Sequence, residues 1–83
     1  MTKLQYMRKL SGMTQAQAAE ACGVSLGVWR HYEQGSRPFD GASLKTITTA
    51  ALVLNCNISD LLDDASTAAV FLRYVQRGEI QRD

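Results

Sequence analysis

The sequence predicts an all-α domain built from several short helices. Apolar residues recur at three- and four-residue steps through most of the chain. Thr, Ser, Asp or Asn stands just before these stretches, and Gly or Asn just after them. Ala, Leu and Gln are frequent, whereas the 83 residues contain one Pro and six Gly. That length, with 46% apolar residues, supports one modest core and no second one.

The first helix is expected over Lys3–Leu10, with Leu4, Met7 and Leu10 on its apolar face, Lys3, Arg8 and Lys9 opposite, and Gly12 as the stop. Thr14, followed three residues later by Gln17, has the form of a capping box, so a second helix is expected over Gln15–Cys22. Its small residues Ala16, Ala18, Ala19 and Ala21 allow close helix approach, and Gly23 ends it. Ser25 caps a third helix over Leu26–Gln34, and Val24 with Trp29 forms a hydrophobic staple across the cap. Trp29 and Tyr32 face the core, while Leu26, Gly27, Arg30, His31 and Gln34 fall on the other side. Trp29 is expected to fill the volume left by the small Ala18. After Gly35, residues 36–41 read as a loop in which Asp40 caps a fourth helix over Gly41–Leu54. The core stripe of that helix is Leu44, Ile47, Ala51 and Leu54, and Asn55 supplies a left-handed C-cap. Asn57 and Asp60 form a weaker cap for a short turn ending at Leu61–Leu62. A last helix is expected over Ser66–Arg77, with Ala68, Phe71, Leu72 and Val75 on one stripe, Tyr74 beside it, and Gly78 as the stop. Residues 79–83 are expected to fray.

Composition excludes several classes. The longest apolar run, Ala50–Leu54, is far short of the roughly 20 residues of a membrane span. The N-terminal residues lack the basic-then-apolar pattern of a secretory leader, so a cytoplasmic protein is expected. Cys22 and Cys56 have neither metal-ligand nor redox spacing and read as reduced thiols. No paired nucleophile, carboxylate pair or phosphate-cradling Gly-rich loop is present, so neither an enzyme nor a cofactor is expected. The net charge of +1 is unevenly distributed. Residues 1–45 hold six basic and three acidic side chains, a net +3, and residues 46–83 hold three basic and five acidic, a net −2. A polyanion would meet the first half.

The most informative feature is a pair of short helices joined only by Gly23-Val24-Ser25. So short a connection makes them cross steeply and leaves the outer face of the second one free. This stretch and its surroundings resemble the lambda-repressor-like helix-turn-helix family, the phage Cro and repressor or XRE type. The resemblance runs from Leu4 to Leu62. It rests on Met7-Arg8, Gly12-Met13-Thr14-Gln15, Ala19, Gly23-Val24-Ser25, Tyr32-Glu33-Gln34-Gly35 and Asn55–Leu62, in order and at family spacing. It implies a five-helix domain over residues 1–64, with residues 65–83 forming an additional C-terminal helix and tail for packing or dimerisation.

The resemblance also implies roles. Leu26, Gly27, Arg30 and His31 match base-facing positions. Gln15, Arg37 and the backbone N–H groups near Gly41, Ala42 and Ser43 match phosphate-contacting positions. Arg8 and Glu33 match an internal ion pair. Leu26 and Gly27 depart from the polar residues common at such positions. Leu26 is suited to a thymine methyl and Gly27 to close backbone approach, which leaves hydrogen bonding to Arg30 and His31. The expected partner is double-stranded DNA carrying an inverted-repeat operator, bound by a homodimer joined through the last helix. The function implied is transcriptional regulation, as a repressor. A protein-binding adaptor, such as an antitoxin or antirepressor on the same scaffold, stays open as the alternative, because the reading face is sparsely polar and the last helix is apolar.

Overall fold

In a computed structural model of the chain, which describes residues 1–78, five α-helices follow one another: α1 (Lys3–Leu10), α2 (Gln15–Cys22), α3 (Leu26–Gln34), α4 (Leu44–Leu54) and α5 (Ala65–Arg77). Short 3-10 turns at Phe39–Gly41 and Ile58–Leu61 lie before and after α4, and no strand occurs among the described residues. The expected fraying of residues 79–83 lies outside the described residues.

Local chemistry accounts for most boundaries. The Gln17 N–H donates to Thr14 Oγ1 at 3.1 Å, and the Thr14 N–H donates to Gln17 Oε1 at 2.9 Å, so the capping box forms as expected. The Val28 N–H donates to Ser25 Oγ at 3.1 Å, which starts α3. Gly23 ends α2 in the left-handed region at φ 71°, where a Cβ would be strained, and this reverses the chain into the short connection to α3. Asn55 does the same after α4 at φ 53° and is the one non-glycine residue with positive φ among those described.

The start of α4 differs from the sequence expectation. Gly41 N–H donates to Pro38 O at 3.2 Å and Ala42 N–H to Phe39 O at 2.9 Å, closing a tight turn. The chain then extends through Ala42 and Ser43, and Ser43 caps a helix that begins at Leu44 rather than Gly41. The Asp40 carboxylate is engaged elsewhere, accepting from the Asp63 N–H at 3.2 Å and the Asp64 N–H at 3.1 Å. Leu44, expected in the core, is 74% exposed, while Ala50, absent from the expected stripe, is fully buried. Leu10 is also mainly exposed, so the apolar face of α1 narrows to Leu4 and half-buried Met7.

The core joins Leu4, Ala18, Ala19, Trp29, Tyr32, Phe39, Ile47, Ala50, Ala51, Leu54 and Leu61. Trp29 and Ala18 are both fully buried members of this core. Tyr32 meets Phe39 edge-on, with ring centroids 5.2 Å apart. In contrast, α5 buries none of its residues. It is anchored at its start, where Asp64 caps it through Thr67 and Asp40 holds the two preceding N–H groups.

Candidate nucleic-acid interface

The inner side of α3 is fixed by a cluster centred on Glu33. The Arg8 guanidinium approaches the carboxylate in a forked arrangement, with Nε donating to Oε2 at 2.6 Å and Nη2 to Oε1 at 3.0 Å. Arg8 Nη1 donates to the Met13 carbonyl at 2.9 Å. The Trp29 indole Nε1–H donates to Glu33 Oε2, and Gln15 Nε2 donates to Oε1 at 3.1 Å. One carboxylate thus accepts four side-chain N–H bonds and ties α1, α2 and α3 together. The ion-paired side chains of Arg8 and Glu33 are only 10% and 2% exposed. Burial alone would raise the Glu33 carboxyl, but the bonds from Arg8, Gln15 and Trp29 outweigh it and hold Glu33 below the ordinary glutamate range. The same bond to Glu33, partly offset by burial, raises Arg8. The cluster therefore stays doubly ionised at neutral pH.

The outer side of α3 carries Gly27, Arg30 and His31, all exposed, with Leu26 half-buried at its start. A Cβ built on Gly27 would meet no atom within 4 Å, so nothing inside the molecule requires glycine there. Arg30 Nε makes a long contact, 3.4 Å, to Gln15 Oε1. The Gln15 amide therefore lies between Glu33 behind and Arg30 in front. The Arg37 guanidinium sits over the Tyr32 ring, 5.5 Å from its centroid, which holds it beside the C-terminal end of α3. At the next loop, Gly41 and Ala42 use their N–H groups within the 3-10 turn, and the Ser43 hydroxyl caps α4. The first N–H groups of α4, on Leu44 and Lys45, have no intrahelical acceptor, whereas those of Gly41 and Ala42 are used within the turn.

This order of helices, with a three-residue connection and one outward-facing helix, is matched by a known family. The helix-turn-helix domain family matches residues 2–59. The chain belongs to it. The helix-turn-helix match covers α1 to α4 and ends inside the second 3-10 turn, before α5. No curated protein and no solved structure matches the chain. Membership points to DNA as the partner of the helix-turn-helix unit.

Three participants were not expected. The bonds from Trp29 and Gln15 to Glu33 were missed, although Trp29 and Glu33 stand four apart, a spacing that places them on one helix face. Ser36, which meets the His31 ring, carried no signal beyond its place in a loop. Cys22 and Cys56 are free, and burial raises both thiols, with Asp60 adding to the effect at Cys56. No group of three His, Cys, Asp or Glu side chains able to hold a metal occurs among the described residues, and no described helix is long and apolar enough to cross a membrane.

Proposed function

We propose that this chain is a cytoplasmic, sequence-specific DNA-binding regulator that represses transcription by covering promoter DNA. The observation that carries the reading is the two-sidedness of α3: its inner face is locked to α1 and α2 through Glu33, and its outer face is open. Such a helix enters the major groove with little ordering left to do. In this reading Arg30 takes guanine O6 and N7, Leu26 packs on a thymine methyl, and Gly27 lets the helix backbone come close to the base edges. Gln15, Arg37 and the start of α4 at Ser43, Leu44 and Lys45 hold phosphates. The reaction class is binding, with no catalytic step and no cofactor.

Residues 1–64 form the DNA-binding unit, and α5 joins two copies. Val70, Leu72, Tyr74 and Val75 are exposed on this one helix, an apolar surface that a second copy would cover. A twofold dimer reads an inverted repeat with half-site centres about 10 bp apart, or a multiple of that. The test is selection from a random duplex pool, followed by titration of the selected site. Arg30→Ala is expected to weaken binding about 5- to 150-fold, and Gln15→Ala to weaken it with its salt dependence kept, because a neutral amide releases no counterion. Unchanged binding by both variants would refute the site.

The same exposed face of α5 favours one second reading, a protein-binding adaptor of the antitoxin or antirepressor kind. Light scattering separates the two. A dimer that shifts inverted-repeat DNA supports the regulator. A monomer that ignores DNA at low salt and binds a different protein through α5 supports the adaptor.

A further inference from the structure

His31 and Ser36 meet twice. The Ser36 hydroxyl oxygen lies 3.3 Å from the His31 carbonyl oxygen and 2.9 Å from His31 Nδ1. A hydroxyl has one proton to give, and a carbonyl oxygen has none. When the 3.3 Å contact to the carbonyl takes the Ser36 proton, the 2.9 Å contact to the ring runs from Nδ1–H into the Ser36 oxygen. The opposite assignment, with Ser36 donating to Nδ1, forfeits the carbonyl contact. Both contacts are satisfied only when the neutral imidazole carries its proton on Nδ1, which leaves Nε2 with a bare lone pair.

The backbone sets this arrangement. Gly35 ends α3 in the left-handed region at φ 79°, and the Arg37 N–H donates to the same His31 carbonyl at 3.2 Å. These two features bring Ser36 back over the last turn of α3. Of the neighbouring cations in the sequence, Arg30 makes its 3.4 Å contact to Gln15 and Arg37 lies over the Tyr32 ring.

We propose that Ser36 is a positioning residue that fixes the His31 tautomer and so determines which base His31 selects. This rests on the DNA-binding reading above. In the major groove only adenine N6 and cytosine N4 offer donors, whereas guanine O6 and N7 and thymine O4 accept. Neutral His31 locked as the Nδ1–H form presents an acceptor, so it selects an amino-bearing base and disfavours guanine or thymine on the strand it faces. An Nε2–H form would select the reverse.

Two measurements on the full chain test this. His31 is the only histidine, so its ring gives one set of nitrogen signals in a long-range proton–nitrogen spectrum, recorded at a pH where the ring is neutral. Wild type is expected to show a protonated Nδ1 and a bare Nε2, Ser36→Thr to keep that pattern, and Ser36→Ala to lose it. A protonated Nε2 in wild type overturns the proposal without touching the DNA-binding reading. In selections from a random duplex pool, wild type and Ser36→Thr are expected to prefer adenine or cytosine at one position per half-site, by about 5- to 150-fold. Ser36→Ala is expected to relax that position alone. An unchanged preference in Ser36→Ala overturns the proposal. Failure of wild type to select any sequence overturns the DNA-binding reading and, with it, the base preference, while the tautomer spectrum still reports on Ser36.

Discussion

Replacing Glu33 with Gln isolates what its charge does, because shape and volume barely change. The carboxylate accepts four side-chain N–H bonds: two from Arg8, one from Gln15 and one from Trp29. A glutamine offers one acceptor oxygen and turns an NH2 group toward donors on its other side, so donors face donors. Arg8 also loses its counter-charge where the paired side chains are 10% and 2% exposed. Breaking such a pair from one side costs about 3–5 kcal/mol. Arg8 keeps its bond to the Met13 carbonyl and some access to water, so the lower end, about 3 kcal/mol, is expected. For a domain of this length, total stability is roughly 4–12 kcal/mol, so the variant would be marginal. With a urea slope near 1 kcal/mol/M, the midpoint should fall by about 3 M. Trp29, the only tryptophan and fully buried, reports unfolding by fluorescence, with far-ultraviolet circular dichroism as the independent probe. Removing both charges with Arg8→Met and Glu33→Leu leaves no unpaired charge but strips the acceptor from the buried Trp29 Nε1–H and from Gln15, so it too should lower stability. A loss below about 1 kcal/mol for Glu33→Gln would show that the cluster does not hold the helices as argued.

The same cluster fixes the acid response. The folded Glu33 pKa lies below its ordinary value of 4.5, so its stabilisation is complete above that pH and is lost as pH falls through the folded value. The stability gap between wild type and Glu33→Gln, followed by denaturation at a series of pH values, should therefore close below about pH 4.5. Gly27→Ala should raise the unfolding free energy by about 0.5–1 kcal/mol, since the added methyl meets open space in a helix interior. If the backbone there approaches DNA, the same variant should bind its selected site more weakly, and a gain in both properties would remove Gly27 from the interface. Asn55→Ala should cost about 1 kcal/mol in thermal unfolding because Asn55 sits at φ 53°, whereas Asn55→Gly should be near neutral.

What the sequence made legible is what short-range chemistry decides. The Thr14–Gln17 box, the Ser25 cap, Gly23 and Asn55 each act within four residues, and α1, α2 and α3 begin and end at the residues expected from them. The start of α4 was not legible because two adequate caps, Asp40 and Ser43, stand three apart. The choice between them goes with N–H groups 23 and 24 residues away, on Asp63 and Asp64, which engage Asp40. Phe39 had no periodic neighbours to mark it, and its burial against Tyr32 comes from tertiary packing. Likewise the family pattern suggested the Arg8–Glu33 pair, but Gln15 enters the cluster from another helix, 18 residues from Glu33.

Gln15 brings the structural and functional sides of the molecule together. Its amide donates inward to Glu33 and accepts from Arg30, so a single side chain links the cluster that fixes α3 to the cation proposed to read a base. An arginine on a helix surface ordinarily loses close to 2 kcal/mol of rotamer freedom when a ligand orders it. The long 3.4 Å contact to Gln15 biases Arg30 without fixing it, and Gln15 is itself held by a carboxylate that stays ionised at neutral pH, so part of that entropy is lost before binding. This preorganisation matters because Leu26 and Gly27 provide no side-chain hydrogen bonds, which leaves Arg30 and His31 as the polar side chains among the proposed base-facing positions. Discrimination on such a face depends more on how firmly each polar group is aimed than on how many there are. Gln15 and Ser36 aim one each.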